Sequence, residues 1–477
     1  MDSAYEQPTP QLGPPLSRAP TGTGVEPLNI VILGASYAGL ACAHHFLDHT
    51  INKLRTVNAA PSYRLVLINP STNLYWNIAA PRAIASPASI AQDELFIPIE
   101  PAFHRQRAHH LSIVQGEAVS LDPIARTITV ELIGSKAQKR ASVLNKRASL
   151  QRPLSLASLK AKEQTISYHA VILATGTAAH SDLLTLHGPH LNTLGALNAF
   201  HSRVVDARTI VIGGAGPSAV EIAAQLARHR DFGRDWSMRK PSKPAQRITI
   251  ITASERCLPS QEPKISRKAA KKLMALGVDI KYNTRIASTK ETPDSSGRTL
   301  LELMDGTLLT ADVYIPCTGV EPNTSYLPDE MKDDEGYVLT DPATLRIDCP
   351  IVGERTYAIG DVASYSRNTL QDIYAAVPVL MHNLLNDLLA HELRTASLPK
   401  SESQRHVDGM VDARFVQKPL GFRLWPMTRF GGVGTWRDRA VPGWMVYLLK
   451  GRRYRIGKRK RVVEFGKSPY PVKVQKA

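Results

Sequence analysis

Hydrophobic positions along the chain fall into short β-branched runs separated by glycine turns and Ala-rich helical segments. The first run, in "NIVILGASYAGLACAHHF" (Asn29 to Phe46), predicts a buried strand, a tight turn and a helix. The same order recurs in "TIVIGGAGPSAVEIAAQL" (Thr209 to Leu226). Further strands are predicted at Tyr63 to Asn69 and Arg247 to Thr252, and within "LSIVQGEAVSLD", "RTITVELIG", "SYHAVILATGT", "GVDIKYNTRI", "VYIPCTGV" and "RTYAIGDVAS". Strands alternating with helical patterns predict parallel sheets of βαβ type. A further helix is expected over about Tyr374 to His391, with Pro378 in its first turn, where a missing N–H is harmless. No apolar run approaches the roughly 18 residues that cross a bilayer.

Composition refines this outline. With 477 residues and a 43% apolar share, the chain can build about three domains with sizeable cores. Residues 1–27 are rich in Pro, Gly and Thr and read as a disordered tail without a targeting signal. The net charge of +17 is concentrated in two segments. Ser135 to Glu163 carries +7 and Lys450 to Arg461 carries +8, so the charge is assigned to appendages rather than to a binding face. The first of these, 135–163, is expected to be an exposed insertion, and its two "KRAS" repeats suit a basophilic kinase. Cys42, Cys257, Cys317 and Cys349 are scattered without a C-x-x-C, which points to a reducing compartment and to neither a disulfide scaffold nor a metal site.

A dinucleotide turn needs glycines so that backbone can approach a pyrophosphate, and a helix N-terminus behind them to supply N–H groups. The second unit has Gly214-x-Gly216-x-x-Ala219, with Pro217 opening the helix. The first has Gly34-x-Ser36-x-x-Gly39, with Ala35, Tyr37 and Ala38 completing the turn. At the end of each second strand, where an acid usually grips a ribose, stand Asn69 and Thr252. Asn69 can accept a ribose hydroxyl through its amide oxygen. Thr252 lacks the charge that repels a 2′-phosphate, and Arg256 lies close enough in sequence to pair with one or to face solvent; NADH and NADPH both stay open. The apolar strand ending in Gly360-Asp361 places a carboxylate for ribityl hydroxyls, which FAD has and NAD lacks. The T-G turns at Thr175-Gly176 and before Gly319 repeat at matching places in the two halves. This order is that of α/β flavoproteins with two Rossmann-like three-layer domains, the NAD(P)H-binding domain inserted in the FAD-binding one. The expected division is 28–202 and 337–398 for FAD, 203–336 for NAD(P)H, and a smaller C-terminal α+β region with a basic tail at 399–477.

The segments "NLYWNIAAPRAI", "VQGEAVSLD", "VILATGT", "GGAGPSAVEIAAQL", "TYAIGDVA" and "PMTRFGGVGTW" carry a narrower resemblance. From about Leu28 to Lys467 the chain resembles the apoptosis-inducing-factor-like FAD-dependent pyridine nucleotide oxidoreductases. It is most similar to the fungal members of the branch containing the ferroptosis suppressor protein. That resemblance implies FAD contacts from the Gly34 to Ala38 turn, Arg82, Ala118 and Asp361. Arg82 would neutralise the pyrophosphate, or be a surface charge; Ala118 would read adenine through its backbone. It also implies a position for Glu221 near the nicotinamide, against the plainer reading that a Glu suits the early turns of a helix. The departures are Ser36 for Gly and Asn69 for an acid.

The chemistry implied is hydride transfer from NADH or NADPH to FAD and electron release to a diffusible acceptor, most simply a quinone, since no redox-active cysteine pair is present. Tyr75, Trp76 and Tyr374 are candidate pocket walls or ordinary core. In "VPGWMVYLLKGRRYRIGKRKRVVEF", apolar and aromatic residues next to eight basic ones could dock on an anionic membrane, serve as a nuclear-localisation signal, or pack on the body. The first option makes a cytoplasmic protein peripheral on a lipid-droplet or mitochondrial outer-membrane surface. Rival functions are a ferredoxin or rubredoxin reductase and a redox-sensing cell-death effector binding DNA through its basic segments.

Overall fold

The computed structural model describes residues 26–57, 62–105, 110–133, 162–229, 246–292, 297–395 and 400–471. The N-terminal tail, with the "KRAS" repeats and nearly all of the insertion, lies outside them.

Val- and Ile-rich runs that are apolar on both faces can be satisfied only inside a sheet covered on both sides. The first run does this at Leu28–Leu33, flanked in parallel by Tyr63–Asn69 on one side and Ala170–Leu173 on the other. Across the whole sheet the order is Thr356–Ala358, Ala170–Leu173, Leu28–Leu33, Tyr63–Asn69, Leu111–Asp122, Thr127–Leu132, Lys162–Ser167. Alternate residues feed different cores. Ile30 and Ile32 pack with the helices Tyr37–His45 and Leu370–Thr395, whereas Val31 and Leu33 pack with Leu121, Ile128, Val130 and Met331. The sheet thus has helices on one face and an antiparallel β-layer on the other. Lys162 and Glu163, assigned to the insertion from sequence, instead begin a strand in register with Leu132 and Glu131. The insertion therefore joins the two strands of an antiparallel pair.

The second unit builds a separate parallel sheet in the order Val278–Lys281, Arg247–Ile251, Thr209–Gly213, Val313–Pro316, with a three-stranded antiparallel sheet beside it. All of its strands fall, in sequence, between Ala170–Leu173 and Thr356–Ala358 of the first sheet, so one nucleotide-binding unit is inserted in the other. The helix His190–Val204 runs through residue 202, and the second sheet starts at Thr209. A short antiparallel pair, Thr177–Ala179 with Val320–Pro322, ties the two units together.

The helix after the G-D strand is longer than its sequence suggests. It spans Leu370–Thr395, 26 residues, and Pro378 sits inside it rather than in its first turn. By length and composition it could cross a membrane, yet 78% of its most apolar window is buried in the protein. It is a core helix.

C-terminal to it, Phe422–Thr428, Gly431–Trp436 and Arg439–Ala440 form a small antiparallel sheet. The "GGVG" glycines have a packing cause: a Cβ on Gly432 would lie 2.8 Å from Val446 and one on Gly434 3.0 Å from it. Their absence lets the helical turn Gly443–Val446 press onto the sheet. A π-helical turn, Tyr447–Gly451, follows, and the helix Arg459–Val463 packs against Tyr37–His45, where the His44 ring bonds the Val463 carbonyl at 2.7 Å.

Candidate functional site

Each glycine turn is pressed against the strand beyond it. Gly34 has φ +98°, and a Cβ there would stand 2.3 Å from the Ala174 carbonyl oxygen; Gly214 has φ +91° and would meet the Cys317 oxygen at 2.4 Å. The two turns are thus equivalent in geometry as well as in sequence. Gly39 allows the helix to approach closely, since a Cβ would fall 1.8 Å from the Gly34 oxygen. Ser36, in the place of the usual middle glycine, is exposed and lines the first cleft without clash.

That cleft, about 770 Å3, is walled by Gly34, Ala35, Ser36, Tyr37, Ala38, Asn69, Ala118, Thr175, Gly176 and Asp361. The Asn69 Oδ1 accepts from the Ala35 N–H at 2.9 Å, and its amide donates to the Ser71 carbonyl at 2.6 Å. Asn69 therefore shapes the turn itself, besides lining the place of a ribose. Thr175 is tied to Asn323 through its hydroxyl, at 2.8 Å, and its carbonyl, at 2.9 Å. Gly360 has φ +82° and sets Asp361 at the end of its strand. One Asp361 oxygen is buried without a hydrogen-bond partner, and burial pushes the carboxyl up to about 6. A buried, unpartnered carboxylate oxygen at a cleft wall is costly unless a ligand supplies donors. Ribityl hydroxyls are such donors, so the residues fit FAD.

The second cleft, about 1210 Å3, is walled by Gly214, Gly216, Pro217, Glu221, Thr252, Gly319 and Lys450 among others. Ala219 is fully buried beneath its turn. The first volume lies within, and the second above, the range of roughly 300–1,000 Å3 typical of small-ligand sites. The clefts share Asn77, Ile78, Thr177, Thr185, Asp361 and Asn368, so they open into one another.

Near this junction Glu221, 5% exposed, pairs with Lys450, 15% exposed, at 2.5 Å. Burial raises the Glu221 carboxyl, while Lys450 and Arg82 pull it back down; the net direction is upward. Its second oxygen is buried without a partner. Lys450 also donates to the Leu424 carbonyl at 3.2 Å, which fixes it to the C-terminal sheet. The site thus holds a positioned, titratable ion pair contributed by two distant parts of the chain.

Three sequence expectations change. Arg82 lines neither cleft. Its guanidinium donates to Gln225 at 2.8 Å and to the Gly451 carbonyl at 3.1 Å, and lies 4.8 Å from the Tyr454 ring, because its short helix packs on Pro217–His229. Its guanidinium is committed to bracing this helix rather than to a pyrophosphate, and its charge also pulls the Glu221 carboxyl down. Arg256 donates to the Pro259 carbonyl at 3.1 Å and pairs with Glu255 at 3.5 Å, away from the cleft walls. The basic C-terminal run is not all appendage: Lys450 enters the site, Arg455 donates to the Pro469 carbonyl at 3.2 Å, and Arg459 pairs with Glu94 at 3.6 Å. Of the candidate aromatics, Tyr75 lines the first cleft, whereas Trp76, bonded to the Tyr454 carbonyl at 2.9 Å, and Tyr374 are core. Lys450 was missed because nothing local separates it from its basic neighbours.

All four cysteines are free. Burial pushes the Cys42 and Cys317 thiols up to about 12, so neither is a ready thiolate.

Comparisons with known proteins bear on the fold and the cofactors. The chain is 32% identical over 439 residues, 91% of its length and 95% of the relative's, to Oxidoreductase phnG of Penicillium herquei. It is 22% identical to the type II NADH:quinone oxidoreductase Ndh of Mycobacterium tuberculosis, covering 58% of this chain and 54% of that one. A ferredoxin reductase from Rhodopseudomonas palustris shares the fold, with a TM-score of 0.51 at 18% identity over 75% of this chain and 76% of that one. Residues 28–379 match the family described as pyridine nucleotide-disulphide oxidoreductase. The chain belongs to the pyridine nucleotide-disulphide oxidoreductase family, an α/β oxidoreductase whose cofactors are FAD and NAD(P)H.

Proposed function

We propose that this protein is an NAD(P)H:quinone oxidoreductase of the apoptosis-inducing-factor-like branch. The observation that carries the reading is the opening of the two clefts into each other at Thr177 and Asp361, beside the Glu221–Lys450 pair. Bound FAD supplies the redox chemistry, taking hydride from NAD(P)H and releasing electrons to an acceptor. The chain's own part is placement and charge. Asp361 accepts ribityl hydroxyls, and the turns at Gly34 and Gly214 bring backbone N–H groups to the two pyrophosphates. Lys450 supplies positive charge where reduction adds negative charge, and the N-terminus of Leu370–Thr395, whose first residues line the FAD cleft, adds a partial positive end. Glu221, held by Lys450, can keep or give a proton close by. With the Cys317 thiol at the cleft wall unpaired and pushed up by burial, a small diffusible two-electron acceptor suits the site better than a disulfide. Similarity to a type II NADH:quinone oxidoreductase supports the same acceptor class.

A lipid-soluble quinone must be met at a bilayer, and the C-terminal layer offers a surface suited to one. Trp444 and Leu448, one helical turn apart, are 60% and 57% exposed, and Phe430 is 61% exposed with its ring against Tyr447. Exposed Arg429, Arg452 and Arg453 neighbour these residues in the chain. Aromatic side chains rimmed by arginines bind anionic lipid interfaces. This patch, rather than the basic tail alone, is the proposed peripheral contact of a cytoplasmic protein with a lipid-droplet or mitochondrial outer-membrane surface.

The test is steady-state oxidation of NADH and NADPH by the FAD-loaded protein with ubiquinone and menaquinone analogues, set against one-electron protein acceptors. Quinones should be reduced at least tenfold faster. Faster reduction of ferredoxin or rubredoxin would overturn the acceptor assignment.

A further inference from the structure

The outer end of the second cleft holds a guanidinium that the readings above leave without a task. Arg285 lines the cleft next to Thr252, Ser254 and Thr284. Its place is fixed by backbone: Thr284 donates to the Thr252 carbonyl at 2.9 Å, Asn283 donates to the Ser254 carbonyl at 3.3 Å, and the Arg285 carbonyl accepts from Met304 at 3.0 Å. The loop after Val278–Lys281 is thereby laced to the end of Arg247–Ile251, the position from which this fold reads the adenosine ribose. Arg285 is exposed, and among the described residues its side chain has no ion pair or hydrogen bond.

The surroundings are deprived of the opposite sign. Among the residues lining the cleft the only carboxylates are Glu221 and Asp361, both at the junction with the FAD cleft. At the ribose end stand Thr252, 4% exposed, and Ser254. Glu255 is close in sequence but pairs with Arg256 outside the walls. A site that selects NADH places a carboxylate here, to bind the 2′-hydroxyl and repel a 2′-phosphate. This site has a neutral hydroxyl and a free, planar, permanently charged donor suited to phosphate.

We propose that Arg285, with Ser254 on the adjoining loop of the same cleft, binds the 2′-phosphate of NADPH and makes NADPH the preferred donor. The inference rests on the assignment of this cleft to the pyridine nucleotide and goes beyond it in choosing between the two. It also moves the role from Arg256, the candidate by sequence, to a residue on another loop. No covalent step is involved; the 2′-phosphate remains far from the reacting ring and acts through binding alone.

The test is calorimetric binding of two fragments, 2′,5′-ADP and 5′-AMP, to the FAD-loaded full chain, with NADPH and NADH kinetics alongside. The native protein should bind 2′,5′-ADP about tenfold or more tighter than 5′-AMP. Arg285→Gln should lose roughly ten- to a hundredfold in 2′,5′-ADP affinity, the worth of a charged hydrogen-bond pair, and leave 5′-AMP within about twofold. Its kcat/KM should fall for NADPH and not for NADH. Arg256→Gln should change neither fragment. Equal binding of the two fragments by native protein, or indifference of 2′,5′-ADP to Arg285→Gln, overturns the inference while leaving the cleft's assignment standing. Binding of neither fragment overturns both.

Discussion

Replacing Lys450 by Met keeps most of the unbranched stem and removes the charge that Glu221 faces. Both partners are largely withdrawn from water, at 5% and 15% exposure, and their contact is 2.5 Å. Breaking a buried pair costs about 3–5 kcal/mol if the survivor stays charged. Glu221 need not stay charged, because burial already raises its carboxyl and a proton can neutralise it. Arg82 still attracts the carboxylate, which trims the cost further. We therefore expect Lys450→Met to lose about 2–3 kcal/mol at pH 8 and under about 1 kcal/mol at pH 5, each pH unit between the unfolded-state and the raised folded-state pKa being worth about 1.4 kcal/mol. The sign follows from linkage. Without Lys450 the folded-state carboxyl lies further above its unfolded value, so the folded chain binds more protons, and stability declines as pH rises past the unfolded value. Urea unfolding followed by tryptophan fluorescence, for native protein, Lys450→Met, Glu221→Gln and the double variant, measures this. The double variant should recover most of the loss at pH 8, since a neutral amide needs no counter-ion. An equal loss at both pH values, or a double variant no more stable than Lys450→Met, would refute the reasoning.

Two other outcomes are expected. FAD affinity should rise between pH 5 and pH 7, because the Asp361 carboxyl, pushed up to about 6 by burial, must ionise to accept ribityl hydroxyls. Asp361→Asn should flatten that dependence and Asp361→Ala should be isolated with little or no flavin, both read by absorbance after reconstitution; undiminished yellow colour in Asp361→Ala would count against the cleft's assignment. In vesicle flotation, the full chain should rise with liposomes containing anionic phospholipid, and a Phe430→Ser, Trp444→Ser, Leu448→Ser variant should stay at the bottom with its redox activity on a soluble quinone within about twofold. Equal flotation of the two proteins would reject the patch as the contact.

The parts legible in the sequence are those whose cause is local. A glycine turn between a β-branched strand and a helix carries its own geometry, so both cradles, their order and the Gly360-Asp361 strand end could be read directly. The parts that were not legible depend on what the chain meets after folding. Arg82 stands in a motif suited to a pyrophosphate, but the packing of its short helix on Pro217–His229 delivers it to Gln225 and Gly451. Arg285 is far in sequence from Thr252, and strand pairing together with backbone bonds between two loops brings them side by side. The length of Leu370–Thr395 was underestimated because Pro378 looked like a helix start; burial on nearly every side holds the helix through it. Lys450 looked like one more member of a basic run, and its direction is fixed by its bonds to Glu221 and to the Leu424 carbonyl, both distant in sequence.

Lys450 has a consequence for how the molecule divides its labour. The match to the oxidoreductase family ends at residue 379, and every residue walling the two clefts lies before that point except Lys450. The cation that answers Glu221 comes from beyond it. On the proposed reading, nucleotide capture belongs to the family-matching body and the charge facing Glu221 to the stretch that follows it. Exchanging that stretch between relatives offers evolution, or an engineer, a means of retuning the centre without rebuilding either cradle.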